Sequence, residues 1–201
     1  MTGSEGGRAT EAGSKDRAAA KRRIVEAACA LIAGGHGAAM IDATALQAAG
    51  VCSRGECEQH FIDTIELRSA LFNALFTQAR DRIISATHGM RPGLLQLETL
   101  YETYLDYSLA QPALQDLAYA LQLDPRGQGL LVRTQGAAAL LARAALSAAA
   151  CDLAEARAQL LTAMVVSVAR VEYRARRKLP ELRRALMAYC ECSARAASVG
   201  F

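Results

Sequence analysis

Apolar side chains recur at helical spacing along most of this chain, and few stretches show the two-residue alternation of a strand. The first stripe predicts a helix over residues 16–33, ended by Gly34 and Gly35. Its buried face is predicted to carry Ile24, Ala27, Ala28, Leu31 and Ile32. Residues 1–15 bury too little apolar surface to offset the entropy of ordering, so they are predicted to form a disordered tail.

A second apolar stripe predicts a long helix that begins after Asp63 and continues towards Gly89. Asp63 and Glu66 have the spacing of a capping box, in which the Asp63 carboxylate accepts a first-turn amide and Glu66 reaches back. The stripe itself comprises Leu67, Leu71, Leu75 and Ile83 or Ile84. Its length suits a connector between an N-terminal and a C-terminal domain.

The rest of the chain predicts further helices, with prolines at their boundaries. Their ranges are 94–110, 113–121, 127–150, 152–178 and 180–197. Asp152 and Glu155 have the spacing of a second capping box. Because 52% of the residues are hydrophobic, many of them Ala and Leu, the chain is predicted to be all-α.

Residues 50–61 contain the parts of a helix-turn-helix. A Gly50-Val51 turn precedes a short helix that ends near Phe61, and a newly capped helix follows at Asp63. Three helices are therefore predicted before residue 63.

The order of these features resembles the DNA-binding domain of the tetracycline-repressor (TetR) family over residues 20–72. The shared features are a basic run, an Ile-x-x-Ala-Ala helix start, a Gly-rich break, an Ala-Gly-Val turn and a His-Phe exit. The chain departs from the family at Glu58 and Thr64, where members usually carry a phosphate-binding Tyr and a Lys. It also has Leu46-Gln47 in place of an Ile-Ala pair, and a turn one residue longer before Ser53.

The resemblance implies a homodimer with a helix-turn-helix domain over residues 16–62 and a larger helical ligand-binding and dimerisation domain over residues 63–201. The helix-turn-helix domain of each copy, called the head, would occupy one of two successive major grooves of palindromic double-stranded DNA, about 34–36 Å apart. A small, mostly apolar effector would tilt the long helix and release DNA, provided that it binds the released conformation more tightly than the DNA-binding one. The Ala-rich last two helices suit a four-helix dimer interface, although a monomer core would show the same pattern.

The recognition helix of such a motif places its N-terminal residues in the major groove. Arg54 can pair bidentately with guanine and Gln59 with adenine, whereas Glu56 can accept only from cytosine and repels phosphates. The candidate DNA contacts are Lys21, Arg22, Arg23, Ser53, Arg54, Glu56, Gln59 and His60.

Charge gives this hypothesis little support. The chain carries a net charge of +3, and residues 17–62 carry only +1. Glu56 and Glu58 lie close to the expected phosphates, inside a Debye length of about 8 Å, so DNA binding is expected to be weak or unusually selective. The alternative is a helical ligand-binding or interaction dimer whose helix-turn-helix has lost DNA binding.

A denser basic group lies near the C terminus and is predicted to solubilise the end of a helix and favour its dipole. It comprises Arg170, Arg174, Arg176, Arg177, Lys178, Arg183 and Arg184.

Tyrosines recur every three residues on the helix over residues 94–110, and this spacing suits either a core or a ligand cavity. The candidate effector contacts are Tyr101, Tyr104, Tyr107, Tyr119 and Met164. Such a cavity would take a mostly apolar molecule with a few hydroxyl contacts.

The six cysteines occur without a secretory signal, so the protein is expected to be cytoplasmic and reduced. A thiol or metal sensor is a further alternative, but Cys57 with His60 supplies only half of a zinc ligand set, and Cys190 and Cys192 point apart on a helix. No metal or cofactor is expected.

The sequence shows no catalytic constellation, so an enzyme is not predicted. The longest apolar run, residues 160–169, is too short to span a membrane.

Overall fold

The computed structural model describes the backbone of residues 6–195 and the side chains of residues 16–191. Of the residues that the structure describes, 81% are helical and none lies in a strand, so the all-α prediction is confirmed. The helices are α1 (Gly6–Ala33), α2 (Ala43–Ala48), α3 (Arg54–His60), α4 (Thr64–Ala86), α5 (Leu94–Ala110), α6 (Pro112–Gln122), α7 (Pro125–Ala148), α8 (Ala154–Ala175) and α9 (Pro180–Arg195). The chain divides within α4 into two compact units, one ending at Leu75 and one beginning at Phe76.

Helix α1 begins at Gly6, so the predicted start near Asp16 is wrong and residues 6–15 are helical rather than a disordered tail. Extending an existing helix costs far less than nucleating one, and this stretch contains good helix formers such as Ala, Arg and Glu. The first five residues of the predicted tail lie outside the described part of the chain. The end at Ala33 is as predicted, and Gly35 follows it with a φ of +100°.

The first unit buries one face of each of its helices. The stripe predicted for α1 is confirmed at Ile24, Ala28 and Ile32, whereas Ala27 and Leu31 are half-buried. Leu67, Leu71 and Leu75 of the α4 stripe are buried as predicted. In the second unit, Ile83 is half-buried and Ile84 is 55% exposed, so of the two predicted positions Ile83 continues the stripe.

The second predicted capping box is wrong. Helix α8 is preceded by Leu153, whose φ of 55° and ψ of 32° are left-handed, and no side chain caps the helix. The N-cap residue of a capping box has an extended backbone. Here the N-cap position is held by the left-handed Leu153, so Asp152 lies one residue too early to cap the helix. Glu155 instead accepts a hydrogen bond from Arg143 Nη1 at 2.9 Å.

Helices α5, α7, α8 and α9 build the core of the second unit. Its buried members are Leu97, Tyr101, Leu105, Ala142, Ala145, Leu146, Cys151, Ala158, Leu161, Val165, Ala169, Leu186 and Cys190. Ala142 and Ala145 of α7 and Ala158 and Ala169 of α8 are buried in this core, where small side chains permit close packing of helices. Gly127 allows a second close approach, because a Cβ there would lie 2.8 Å from the Cα of Leu121.

Candidate functional site

The first unit contains two short helices, α2 and α3, which are joined by a turn over residues 49–53. Asp42 caps α2, because its Oδ1 accepts a hydrogen bond from the Ala45 amide at 2.8 Å. Gly50 then takes a left-handed φ of +71°, which residues other than glycine rarely adopt. The turn is closed by the Val51 amide, which donates to the Leu46 carbonyl at 2.9 Å.

Helix α3 is fixed by a cap at its start and by two buried anchors. Ser53 Oγ accepts a hydrogen bond from the Glu56 amide at 3.1 Å. Cys57 is buried on the inner face of α3, and Phe61 is buried directly after the helix. Because these groups point inward, the opposite side of α3 faces solvent.

The exposed side of α3 carries most of the residues predicted to read bases. Ser53, Arg54 and Gln59 are exposed, and Glu56 is half-buried. His60 is also half-buried, and its Nδ1 is a buried atom with no hydrogen-bond partner among the described residues. The geometry therefore leaves the first turn of α3 accessible and turns part of His60 away from solvent.

Two arginines in this region are held by glutamates of α3. Arg54 Nε lies 2.8 Å from Glu58 Oε1, and both side chains are mostly exposed. The hydrogen bond from Arg54 to Glu58 raises the pKa of Arg54. Arg23 of α1 pairs in the same way with Glu56 at 2.8 Å. Exposed pairs of this kind are weak, typically about 0–1 kcal/mol, so phosphates can compete for either guanidinium.

Lys21 is held more firmly at the start of α4. It forms an ion pair with Glu66, and its Nζ lies 4.9 Å from the centre of the Phe61 ring. The hydrogen bond from Lys21, followed by one from the Ile62 amide, lowers the pKa of Glu66. A phosphate contact by Lys21 would therefore have to displace Glu66.

Glu66 also confirms the capping box predicted for α4. Asp63 Oδ1 accepts from the Glu66 amide at 2.9 Å, and Glu66 Oε2 accepts from the Ile62 amide at 2.7 Å. Arg17 donates to the Gln59 carbonyl at 2.8 Å, a contact between residues 42 apart that was not predicted. Arg22 is exposed and forms no ion pair with a described side chain.

A cleft of about 230 Å³ opens between α2, α3 and the start of α4. Its lining residues are Asp42, Ala43, Thr44, Arg54, Cys57, Glu58, Phe61, Ile62, Asp63, Thr64 and Leu67. The Arg54–Glu58 pair lies at this cleft, so the site combines an exposed ion pair with a small opening that Cys57 helps to line.

The five predicted effector contacts do not form one group. Tyr101 belongs to the core of the second unit, and Tyr104 and Met164 pack against that core. Tyr107 lies apart from this cluster, where it donates to Gln78 Oε1 at 3.2 Å, and Tyr119 is 62% exposed on α6. Only three of the five residues therefore meet.

The hydroxyl of Tyr101 is the polar group in this cluster that a ligand could satisfy. Its oxygen is buried and has no hydrogen-bond partner of good geometry among the described residues. Burial raises the pKa of Tyr101 and also that of Tyr104. Both phenols are therefore neutral at physiological pH and can act as hydrogen-bond donors.

A buried ionic network was missed by the sequence analysis. Arg183, predicted to lie in a solubilising basic group, is buried and makes two hydrogen bonds to Glu172, at 2.6 and 2.8 Å. Its Nη1 also lies 2.6 Å from Glu102 and from Asp106, and Lys178 completes the network through Asp106. The prediction is wrong for Arg183 because a count of charges along the sequence does not show which positions face the carboxylates of α5 and α8.

Burial opposes ionisation of Glu172, but hydrogen bonds from Arg183 and from the Leu179 amide outweigh it and lower the pKa of this carboxyl. The network therefore keeps Glu172 charged inside the second unit. Its contacts tie α5, α8 and α9 together, which is a structural role rather than a chemical one.

Within the part of the chain that the structure describes, no three His, Cys, Asp or Glu side chains are placed to hold a metal ion. The described helices include none with the length and apolar character needed to cross a membrane. Comparisons with protein-family models, with curated proteins and with solved structures find no match for this chain.

Proposed function

We propose that this chain is a ligand-responsive transcriptional repressor that binds palindromic duplex DNA as a homodimer. The observation that carries the proposal is the exposed first turn of a capped α3 within a helix-turn-helix, with Ser53, Arg54 and Gln59 facing solvent. The resemblance of residues 20–72 to the TetR family supports it. Two copies of α3 would then enter successive major grooves.

The glutamates of α3 define how this head would bind. Arg54 and Arg23 are each paired with a glutamate, so DNA must exchange a carboxylate for a phosphate or a base edge at both positions. This exchange lowers affinity for arbitrary duplex and favours sites where Arg54 gains a bidentate partner such as guanine. Selective rather than strong binding is the expected result.

Dimerisation would use the last two helices. Leu160 and Val171 of α8 and Leu182 of α9 are 49%, 44% and 38% exposed, an apolar surface that a second copy could cover. The effector would enter near Tyr101, Tyr104 and Met164, where the unpartnered Tyr101 hydroxyl offers one polar contact in an apolar setting. Light scattering on the purified chain tests the dimer.

The competing function is a ligand-binding or interaction dimer whose head no longer reads DNA. The pairing of Lys21, Arg23 and Arg54 with glutamates favours it, because few cations of the head are left for phosphates. A thiol sensor is compatible with either function, since the thiols of Cys52 and Cys57 lie within the head.

The experiment that tests the repressor function is selection of bound fragments from random duplex DNA with the full chain. We expect an enriched palindrome with half-sites about one helical turn apart. The binding constant should then be measured against salt for the wild type and for Glu58→Gln. Freeing Arg54 should tighten binding and steepen the slope of log K against log salt by about 0.9.

Glu26→Gln is the matched control, because Glu26 is an exposed carboxylate of the same unit that forms no ion pair with a described side chain. It removes the same charge without releasing a cation, so its salt slope should equal that of the wild type. If no fragment is enriched and the chain binds no duplex even at low salt, the repressor function is wrong and the competing function stands.

A further inference from the structure

Two cysteines occupy paired positions at the start of α3. Ser53 is the N-cap of this helix, so Cys52 is the residue before the cap and Cys57 is the fourth residue of the helix. Apolar side chains at these two positions commonly pack against each other and fix the angle at which the chain enters the helix. Here that packing pair consists of two thiols.

The two thiols are buried and close together. Cys52 is 7% exposed and Cys57 is 2% exposed, and neither forms a disulfide. The Cys52 thiol lies close enough to Cys57 to raise the pKa of Cys57. Cys57 also lines the cleft between α2, α3 and the start of α4.

We propose that Cys52 and Cys57 are a modification site at which a hydroperoxide forms a reversible disulfide across the start of the recognition helix. The disulfide itself does not depend on the function proposed above. Its consequence for DNA does, because the residues it encloses, Ser53 to Glu56, include candidate base contacts.

The chemistry balances with hydrogen peroxide as the oxidant. The sulfur of Cys57 attacks one peroxide oxygen, the O–O bond breaks, and a sulfenic acid and one water are formed. The sulfur of Cys52 then attacks that of Cys57, the S–O bond breaks, and the departing hydroxide takes the Cys52 proton as a second water. Two thiols are thus oxidised by two electrons and one peroxide is reduced to two waters.

The surroundings of Cys57 make this site slow at neutral pH. Burial, then the Cys52 thiol and the carboxylates of Glu56 and Glu58, raises the pKa of Cys57 to about 12. Since the thiolate is the reacting form, the rate should rise about tenfold for each pH unit below that value. The charged groups that face the cleft from α2, α3 and the start of α4 are Asp42, Arg54, Glu58 and Asp63, and Arg23 of α1 pairs with Glu56. The site would respond to sustained oxidation rather than to traces of peroxide.

Closing the disulfide must move the start of α3. The two sulfurs are not bonded in this structure and have to approach to about 2.05 Å. That approach pulls the turn before Ser53 towards Cys57 and displaces the segment that carries Arg54. Base contacts depend on position within a fraction of an ångström, so the oxidised head should bind DNA at least tenfold more weakly.

The test uses the full chain with Cys29→Ser, because Cys29 shares a tryptic peptide with Cys52. Trypsin cleaves after Arg23, Arg54 and Arg68, so a Cys52–Cys57 disulfide joins peptides 24–54 and 55–68 into one mass. The protein is treated with hydrogen peroxide at pH 7 and pH 8, free thiols are alkylated, and the joined peptide is quantified by mass spectrometry. Cys57→Ser should remove it, and Cys190→Ser should leave it unchanged.

We expect the joined peptide to form about ten times faster at pH 8 than at pH 7 and to disappear with dithiothreitol. Binding of selected DNA should fall at least tenfold on oxidation and recover on reduction. Absence of the joined peptide at both pH values, or sulfonic acid as the sole product, overturns the modification site. A joined peptide with unchanged DNA affinity overturns the regulatory consequence. If the reduced chain binds no DNA while the peptide still forms, the disulfide stands and the repressor function is wrong.

Discussion

Replacing Arg183 with methionine should destabilise the second unit by about 3–5 kcal/mol, the usual cost of removing one partner of a buried ion pair. Arg183 and Glu172 are 7% and 1% exposed at the side chain and share two hydrogen bonds, so the variant leaves a carboxylate buried without its counter-charge. The Leu179 amide, which donates to Glu172 at 2.8 Å, offsets only part of this loss. Such a cost is a large share of a typical domain stability of about 5–15 kcal/mol.

Lys178→Met is the matched control for this prediction. Lys178 binds Asp106, as Arg183 does, but this pair is 55% and 49% exposed at the side chains. Exposed pairs contribute about 0–1 kcal/mol, so the control should be nearly neutral. The double variant Arg183→Met with Glu172→Leu should recover most of the loss, because no buried charge is then left unpaired.

The assay is urea unfolding followed by circular dichroism at pH 7 and one protein concentration, so that any dimer contributes equally to each variant. If Arg183→Met and Lys178→Met unfold at the same midpoint, the network does not carry the stability assigned to it.

The same network predicts an acid dependence. Burial opposes ionisation of Asp106, but Lys178 and Arg183 outweigh it and lower its pKa, as Arg183 also does for Glu172. A carboxyl with a lowered folded pKa stabilises the fold above its unfolded pKa, about 4, and this stabilisation is lost as pH falls through the folded value. Without Arg183, burial raises the pKa of Glu172 in the folded variant. The difference in stability between wild type and Arg183→Met should therefore begin to shrink above about pH 4, as the variant takes up a proton, and should level off only below the lowered pKa of the wild type.

Substitutions at Gly127 and Ser53 test a close approach in the second unit and a helix cap in the first. Gly127→Ala should cost about 1–3 kcal/mol, because its Cβ would meet the backbone of Leu121, whereas Gly136→Ala has open space and should stabilise by about 0.5–1 kcal/mol; thermal unfolding compares the two, and equal shifts would contradict the close approach. Ser53→Ala removes the acceptor for the Glu56 amide and should cost about 1 kcal/mol. Faster hydrogen exchange at that amide would show the lost cap, and unchanged exchange would mean that Ser53 does not hold α3.

Helix boundaries were predicted best where local chemistry decides them. Helix α5 spans Leu94–Ala110 as predicted, because its end is set by the nearby Pro112, and α4 begins at its predicted capping box. Proline and a carboxylate cap act on their immediate neighbours, so the sequence contains the whole cause. The same local rule failed at Asp152, since the left-handed Leu153 depends on how the chain reverses between α7 and α8.

In the candidate site, too, local contacts could be predicted from the sequence and long-range contacts could not. The contact between Arg54 and Glu58 follows from helical spacing, because residues four apart on α3 are neighbours on one face. The pairing of Arg23 with Glu56 joins residues 33 apart in sequence and could not be predicted from helical spacing. Likewise the tyrosine repeat on α5 did not show that Tyr101 enters the core while Tyr107 turns towards Gln78.

The sequence by itself determined that this protein is built of helices and where most of them end, because helical periodicity, prolines and caps are local properties. Only the tertiary structure decided which charges are buried together and which thiols meet. Arg183 and Glu102 are 81 residues apart, and their contact exists because α5 and α9 pack side by side. Such contacts depend on how helices are placed in space, a property that no single stretch of sequence contains.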